Sequence, residues 1–284
     1  MKAKKLNNIK RSLYTIVHSM TKIPKIIFQT SKKPMPQYVI DQIKDLSPDW
    51  EYRHYTDKDI IQYFINNPVA EFPNIINKFF SFKIGAHKAD LFRYYFLYLQ
   101  GGVYLDSDAM IYADLNDIAK DYEFFSVNSY IKGTIFQGFL GSLPRNKIIY
   151  EALKDAYEID GERLIKEYHL LTANMYSIIY NNKYEFAYKL YNEVEGTEMA
   201  YTVDDRHRIV LIHYWKVQII PQHMHVVETK PIHQVALQDN KVINIKDVKQ
   251  EVELEIKSKK INEPAVTDVI ESTEYETNIL QAIQ

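Results

Sequence analysis

The chain has 284 residues, 46% hydrophobic and 25% charged. This is a globular balance that excludes disorder of the whole chain and suits one large domain or two small ones. Its 35 Lys and Arg against 37 Asp and Glu leave a formal charge of −2, and Cys is absent. That argues against a nonspecific nucleic-acid binder, removes disulfides, thiolate metal sites and thiol catalysis, and fits a reducing compartment. No apolar run approaches the roughly 18 residues of a membrane span.

Residues 1–22 form a basic leader, with Lys2, Lys4, Lys5, Lys10, Arg11 and Lys22 and no acid. Leu6, Ile9, Leu13, Ile16 and Val17 recur at helical spacing. Two readings stand: a solvated arm, or a basic amphipathic helix lying on an anionic membrane. The stretch lacks the continuous apolar core of a signal peptide. The expected location is cytoplasmic, with peripheral contact at the inner face of the membrane through residues 1–22.

The middle of the chain alternates strands and helices. A β-branched run after Pro24 predicts a strand over Lys25–Gln29. Val39, Ile40, Ile43 and Leu46 predict a helix from Pro36 to Leu46, and Trp50–Tyr55 a second strand. Thr56 caps a helix over Asp57–Asn66 with Asp59 at its third position. Ile84–Leu99 is the clearest helix, with Ala89, Phe92, Phe96 and Leu99 on one face, and Gly101-Gly102 ends it. Val103–Leu105, Phe124–Val127 and Ile135–Leu140 read as strands. Lys147–Tyr157, Arg163–Tyr180 and Glu185–Glu193 read as helices, and Arg208–Trp215 as a late strand. The alternation predicts an α/β sandwich on a mainly parallel central sheet flanked by helices, with ligands at the carboxyl ends of the strands. Residues 227–284 are expected to form a C-terminal extension of unknown role, in which Val252, Leu254 and Ile256 alternate with acids.

One strand end carries the chemistry. Val103-Tyr104-Leu105-Asp106-Ser107-Asp108 delivers two carboxylates at the close of a hydrophobic strand. In an extended chain positions i and i+2 point the same way. Two hard oxygen donors suit Mg²⁺ or Mn²⁺ and leave coordination positions for a diphosphate, whose departing charge the metal neutralises. The bare pattern is weak, since about one copy is expected by chance at ordinary Asp usage. A second copy, Asp57-Lys58-Asp59, sits in the first turn of a helix, where acids are favoured for structural reasons. On the preceding helix Asp90 and Arg93 stand three apart and His87 three before Asp90. Spacing alone allows a plain salt bridge, or a carboxylate for sugar hydroxyls beside a guanidinium for phosphate oxygens.

The block from His87 to Tyr98, followed by Gly101-Gly102-Val103-Tyr104-Leu105-Asp106-Ser107-Asp108, resembles the DXD-containing sugar transferases of glycosyltransferase family 32. Ile23–Thr30 and Pro48–Tyr52 are similar to that family's opening strands, and Gln137–Ser142 and His213-Tyr214-Trp215 to its later blocks. The likeness spans roughly residues 23–216, so a catalytic domain over 23–226 is expected. It implies a GT-A fold (Rossmann-like, nucleotide-sugar-binding) and a nucleotide-sugar donor, UDP-linked before GDP-linked. It further implies a saccharide or lipid-linked saccharide acceptor, in capsule or glycoconjugate assembly, and retention of anomeric configuration.

Residue by residue, the resemblance implies that Asp106, Asp108 and His213 serve the metal, and that Arg93 acts with the two aspartates in catalysis. It puts Phe28, Gln29 and Thr30 near the base. His87, Asp90, Tyr94, Gly102, Tyr104 and Ser107 complete the expected donor contacts. Tyr214 and Trp215 line the pocket or belong to the core. The chain departs from the family at Phe28, where a His is common. It also lacks a Gly-Pro before Leu171, and Lys216-Val217-Gln218 stands where Ser-Trp is usual. The competing readings are a non-catalytic sugar- or nucleotide-binding GT-A scaffold and a phosphohydrolase of the haloacid-dehalogenase type. His223, His225 and His233 are either surface histidines or a second metal site.

Overall fold

The computed structural model describes residues 22–196 and 199–214, all within the compact unit Met1–Gln234. The leader helix, Trp215, the three later histidines and the extension lie outside the described residues.

The first half alternates as the sequence predicts. Strand β1 (Ile26–Thr30) leads to α1 (Gln37–Leu46), β2 (Glu51–Tyr55) and α2 (Asp57–Asn66). At α2 the Thr56 hydroxyl accepts from the Asp59 N–H while the Asp59 carboxylate accepts from the Thr56 N–H, a reciprocal capping box. The Asp57/Asp59 pair is therefore helix-start chemistry. A short α3 (Ile75–Ser81), which the pattern missed, precedes α4 (Gly85–Gln100). Every residue from Asp90 to Tyr98 in α4 is buried, so the helix is enclosed on all sides and not along one stripe.

Gly101 stops α4 at φ 67°, and a Cβ there would lie 2.7 Å from the Ser142 carbonyl oxygen. Gly102 opens β3 (Gly102–Leu105) so close to β1 that a Cβ would meet the Ile26 carbonyl at 2.6 Å. The two glycines let the chain reverse from central helix to central strand without a gap.

The remaining elements are β4 (Ala109–Ile111), α5 (Leu115–Ala119), β5 (Phe124–Asn128), β6 (Ile135–Ser142) and α6 (Lys147–Glu158). Helices α7 (Gly161–Lys166) and α8 (Leu170–Tyr180) follow, then β7 (Tyr188–Glu195), β8 (Ala200–Val203) and β9 (Ile209–His213). The strands form one sheet in the order β2-β1-β3-β6-β5-β7-β8-β9-β4. Parallel pairing joins β2, β1 and β3, and β5 with β7; the other pairings are antiparallel. This is the expected α/β architecture, a central sheet with helices packed on it, but the sheet is mixed, with three parallel and five antiparallel pairings. Its parallel trio ends at Thr30, Tyr55 and Leu105, the edge where ligands are expected.

Two expected elements differ. The helix predicted over Arg163–Tyr180 is α7 and α8, broken at Glu167–His169, where the buried His87 ring nitrogen meets the Tyr168 carbonyl. The helix predicted over Glu185–Glu193 is strand β7. Its Tyr191 and Glu193 face inward at period two, and the ladder to β5 satisfies the backbone, so tertiary pairing overrides the local pattern. Helices α4, α6 and α8 pack in succession over β3 and β6. Beneath α4, the Phe28 ring lies 4.1 Å from Phe96, 5.2 Å from Tyr104 and 6.1 Å from Phe92, centroid to centroid.

Hydrogen bonds from Thr56 hold the Asp59 carboxyl below its usual range. A depressed folded pKa gives stability that is complete above the unfolded value of about 3.9 and is lost as pH falls through the folded value. Thr56→Ala is expected to cost about 1 kcal/mol at neutral pH. The stability gap between wild type and Asp59→Asn should close below about pH 4. Denaturant titrations across pH read both; a gap unchanged by acid would refute the charged capping box.

Candidate active site

Strand β3 ends and the chain turns at once: the Ala109 N–H donates to the Asp106 carbonyl at 3.1 Å, and β4 begins. Asp106 and Asp108 therefore do not converge through strand pleat, as the spacing suggests, but across a tight turn. The turn is fixed from several sides. The Asp106 N–H donates to the Gly138 carbonyl at 2.9 Å, the Gln29 amide to the Asp106 carbonyl at 2.9 Å, and the Tyr214 hydroxyl to the Ser107 carbonyl at 3.2 Å. Antiparallel pairing sets Ala109 opposite His213 on β9, which brings the imidazole to the turn. One ligand atom each from Asp106, Asp108 and His213 lies within 4.8 Å of the others. Two carboxylates and an imidazole fit a divalent cation, and the imidazole suits Mn²⁺ better than Mg²⁺.

Two carboxylates flank His213. Its Nε2 is 3.4 Å from Asp108 Oδ1 and its Nδ1 is 3.7 Å from Glu193 Oε1, and its ring stacks on Phe136 at 4.5 Å. Burial disfavours the imidazolium, but the two carboxylates outweigh it and push the pKa up to about 9. Glu193 is itself buried on β7 and accepts from Ser129 Oγ at 2.7 Å and the Tyr130 N–H at 3.3 Å. Sequence reasoning missed Glu193 because it lay in a predicted helix; the inward Tyr191–Glu193 alternation was the available signal.

Arg93 lies deepest. Its Nη2 is 3.1 Å from Asp106 Oδ1 and 3.3 Å from Asp90 Oδ1, with only 5% of the side chain exposed, and its guanidinium covers the Tyr104 ring at 4.1 Å. Burial works against the charge, but the Tyr104, Asp106 and Asp90 oxygens outweigh it and raise the pKa. Burial likewise pushes the Asp90 carboxyl up, opposed by Arg93 and His87. The salt-bridge reading of the spacing holds: Asp90 and Arg93 form an i,i+3 pair, and Arg93 also reaches the Asp106 carboxylate.

Several other residues expected at the donor are enclosed in the fold. Phe28 is fully buried among rings and has no open face. Gly102 is buried at the far end of β3 against β1. Tyr94 is buried with its hydroxyl donating to the Gln137 amide oxygen. Gln29 is buried, accepts from the Tyr52 hydroxyl at 3.0 Å and grips the turn. Tyr104 lies under Arg93 with its hydroxyl 3.1 Å from Thr30 Oγ1. His87 is buried and faces the carbonyl of Tyr168. Thr30, Ser107, Asp106, Asp108 and His213 keep accessible surface at the strand ends.

Residues 34–125 match the family described as a glycosyltransferase sugar-binding region containing a DXD motif. Inositol phosphoceramide mannosyltransferase 3 of Schizosaccharomyces pombe is 36% identical over 90 residues, 30% of this chain and 24% of that protein. Mannosyl phosphorylinositol ceramide synthase SUR1 of Saccharomyces cerevisiae is 31% identical over 142 residues, 49% of this chain and 36% of that protein. The chain thus spans a quarter to about a third of the curated relatives it matches. Among solved structures, the PaToxG glycosyltransferase aligns with TM-score 0.42 and 16% identity, covering 61% of this chain and 76% of that one.

Gly138 supplies the space for two parts of the site. A Cβ there would come within 2.3 Å of both Asp106 Oδ2 and the Phe136 ring, the ring that backs His213. Both are side-chain ends and can swing away, so Gly138→Ala should fold and displace the ligands. We expect about 10- to 100-fold weaker Mn²⁺ affinity with little change in melting temperature. Calorimetric Mn²⁺ titration beside a thermal melt checks this; unchanged affinity would refute the crowding.

Proposed function

From its match to the DXD-containing glycosyltransferase sugar-binding region, we propose that this chain transfers a hexose from a nucleotide diphosphate sugar to a saccharide or lipid-linked saccharide acceptor. The observation that carries the proposal is the convergence of Asp106, Asp108 and His213 beside buried Arg93 at the carboxyl edge of the parallel strands. Asp106, Asp108 and His213 would hold Mn²⁺ or Mg²⁺, which when bound offsets charge on the departing diphosphate. Arg93 presents a fixed positive charge to the same oxygens without reorganising, because Asp90 and Tyr104 already lock it. Asp90 has a second oxygen for a sugar hydroxyl. Thr30 stands at the end of β1 toward the base, and exposed Ser107 offers its hydroxyl at the turn.

In the proposed step the bond from anomeric carbon to phosphate oxygen breaks and the acceptor oxygen bonds to that carbon from the same face. The acceptor proton passes to the released phosphate oxygen, so configuration is retained. The names of the two yeast relatives make mannose the first hexose to test and a phosphoinositol lipid the first lipid-linked acceptor. UDP-hexoses and capsule-type saccharides form the second panel. A phosphohydrolase would need Asp106 free as a nucleophile, and its tie to Arg93 argues against that. We further propose that the chain works in the cytoplasm against the membrane through residues 1–22.

Purified protein should release nucleotide from one GDP- or UDP-hexose with Mn²⁺ or Mg²⁺ and not with chelator. Asp108→Ala should lower the rate at least about 100-fold. Metal-dependent binding without release in any donor–acceptor pair would favour the scaffold; neither binding nor release would overturn both readings. The anomeric coupling of the product, read by NMR, tests retention. For the leader, vesicles with anionic lipid should sediment the full chain more than a chain starting at Thr21; equal partition would sink the membrane contact.

A further inference from the structure

The elbow between α7 and α8 is held by side chains from the centre of the protein. The buried His87 Nε2 lies 3.0 Å from the Tyr168 carbonyl. A carbonyl can only accept, so Nε2 carries the proton. Three residues on, the buried Gln137 amide donates to the Leu171 carbonyl at 3.2 Å, and the Gln137 oxygen accepts from the buried Tyr94 hydroxyl. One interior side chain, His87, is thus committed to the backbone of the elbow, and Gln137, held by Tyr94, to the first turn of the helix that follows it. A loop that only connects two helices does not require this, because water satisfies its carbonyls.

The elbow displays Tyr168, which is 51% exposed. Its ring centroid lies 5.1 Å from that of His87, with the planes tilted, and 5.1 Å from that of His169, edge to face. His87 stands one turn before Asp90 on α4 and two before Arg93, so the ring is anchored to the helix that carries the site. The Tyr168 phenol is pushed above its usual pKa by partial burial and then by the Asp90, Asp106 and Asp108 carboxylates, with Arg93 opposing.

We propose that Tyr168 is the acceptor-sugar platform, a specificity-determining residue whose ring stacks on the apolar face of an acceptor hexose at the rim of the DXD site. A rigid aromatic ring, wet at one end and apolar across its face, suits a pyranose. The place on the rim fits the acceptor, since the donor diphosphate belongs to the deeper charges. His87 and Gln137 are positioning residues that act through the elbow. This assigns His87 a part different from the donor contact its position suggested. The inference rests on the transferase reading, and nucleotide binding tests that reading separately.

The experiment uses the full chain with GDP or UDP and Mn²⁺, and probes a panel of methyl hexosides headed by methyl α-mannoside. Saturation-transfer NMR reads which sugar protons touch the protein; calorimetry reads nucleotide affinity. Wild type should transfer saturation to the ring protons of at least one hexoside. Tyr168→Ala should abolish that transfer and leave nucleotide affinity within about twofold, while Tyr168→Phe should keep most of it because the stacking face is preserved. His87→Gln, which can still donate to the carbonyl, should retain more transfer than His87→Ala. Transfer undiminished in Tyr168→Ala, or absent from wild type with every hexoside while nucleotide binds, would overturn the platform. Loss of nucleotide affinity in Tyr168→Ala would place the ring on the donor and overturn it equally. If wild type binds no nucleotide, the transferase reading fails first.

Discussion

The site depends on one buried charge. Arg93 comes from the central helix and meets Asp90 of its own turn and Asp106 at the end of the neighbouring strand. A guanidinium this enclosed is tolerated only with its partners in place, and stripping one partner from a buried pair costs about 3–5 kcal/mol. The pair therefore ties the register of α4 to the end of β3. The Gly101-Gly102 reversal makes that register possible, and the rings of Phe28, Phe92, Phe96 and Tyr104 give the helix a surface to rest on. Hydrophobic packing sets how deep the helix lies; the charge decides which side chain faces the strand end.

The turn after β3 extends this logic to the other half of the sheet. Asp106 is fixed by Gln29 and Gly138 from the β1 and β6 sides, and Asp108 faces His213, which β9 contributes through its pairing with β4. β4 is three residues long and joins the sheet at its far edge. It carries the turn from the parallel trio to the antiparallel half, so residues separated by more than a hundred positions meet. Glu193 on β7 lies behind His213 and keeps the imidazole between two carboxylates.

Much of this was legible in the sequence where chemistry and local pattern agree. The run from His87 to Asp108 combines a helix, its glycine stop, a buried strand and two acids, and each signal is local. Thr56 and Asp59 were readable as a cap for the same reason. Burial was not legible. Phe28 sits in the opening-strand block and Tyr94 and Gly102 in the central one, and a linear pattern does not separate an accessible residue from an enclosed one. Glu193 was hidden because a β-ladder to Phe124–Asn128, far away in sequence, decides that its segment is a strand. The helix break at Glu167–His169 also has a non-local partner, His87, at the Tyr168 carbonyl.

The charges around the turn close the argument. Asp90, Asp106, Asp108 and Glu193 place four carboxylates about one guanidinium and one imidazole. Arg93 is shared by two of the acids and His213 by the other two, so each cation is already committed while negative charge remains in excess. A nucleotide diphosphate would add more of the same sign and be repelled from such a site. A divalent cation held by Asp106, Asp108 and His213, whose imidazole would give up its proton to ligate, would reduce that excess and set a local positive centre in the cleft for an anionic donor. The excess of acid over base is thus the electrostatic reason that metal and donor would bind together, with Arg93 as the one positive group the fold supplies permanently.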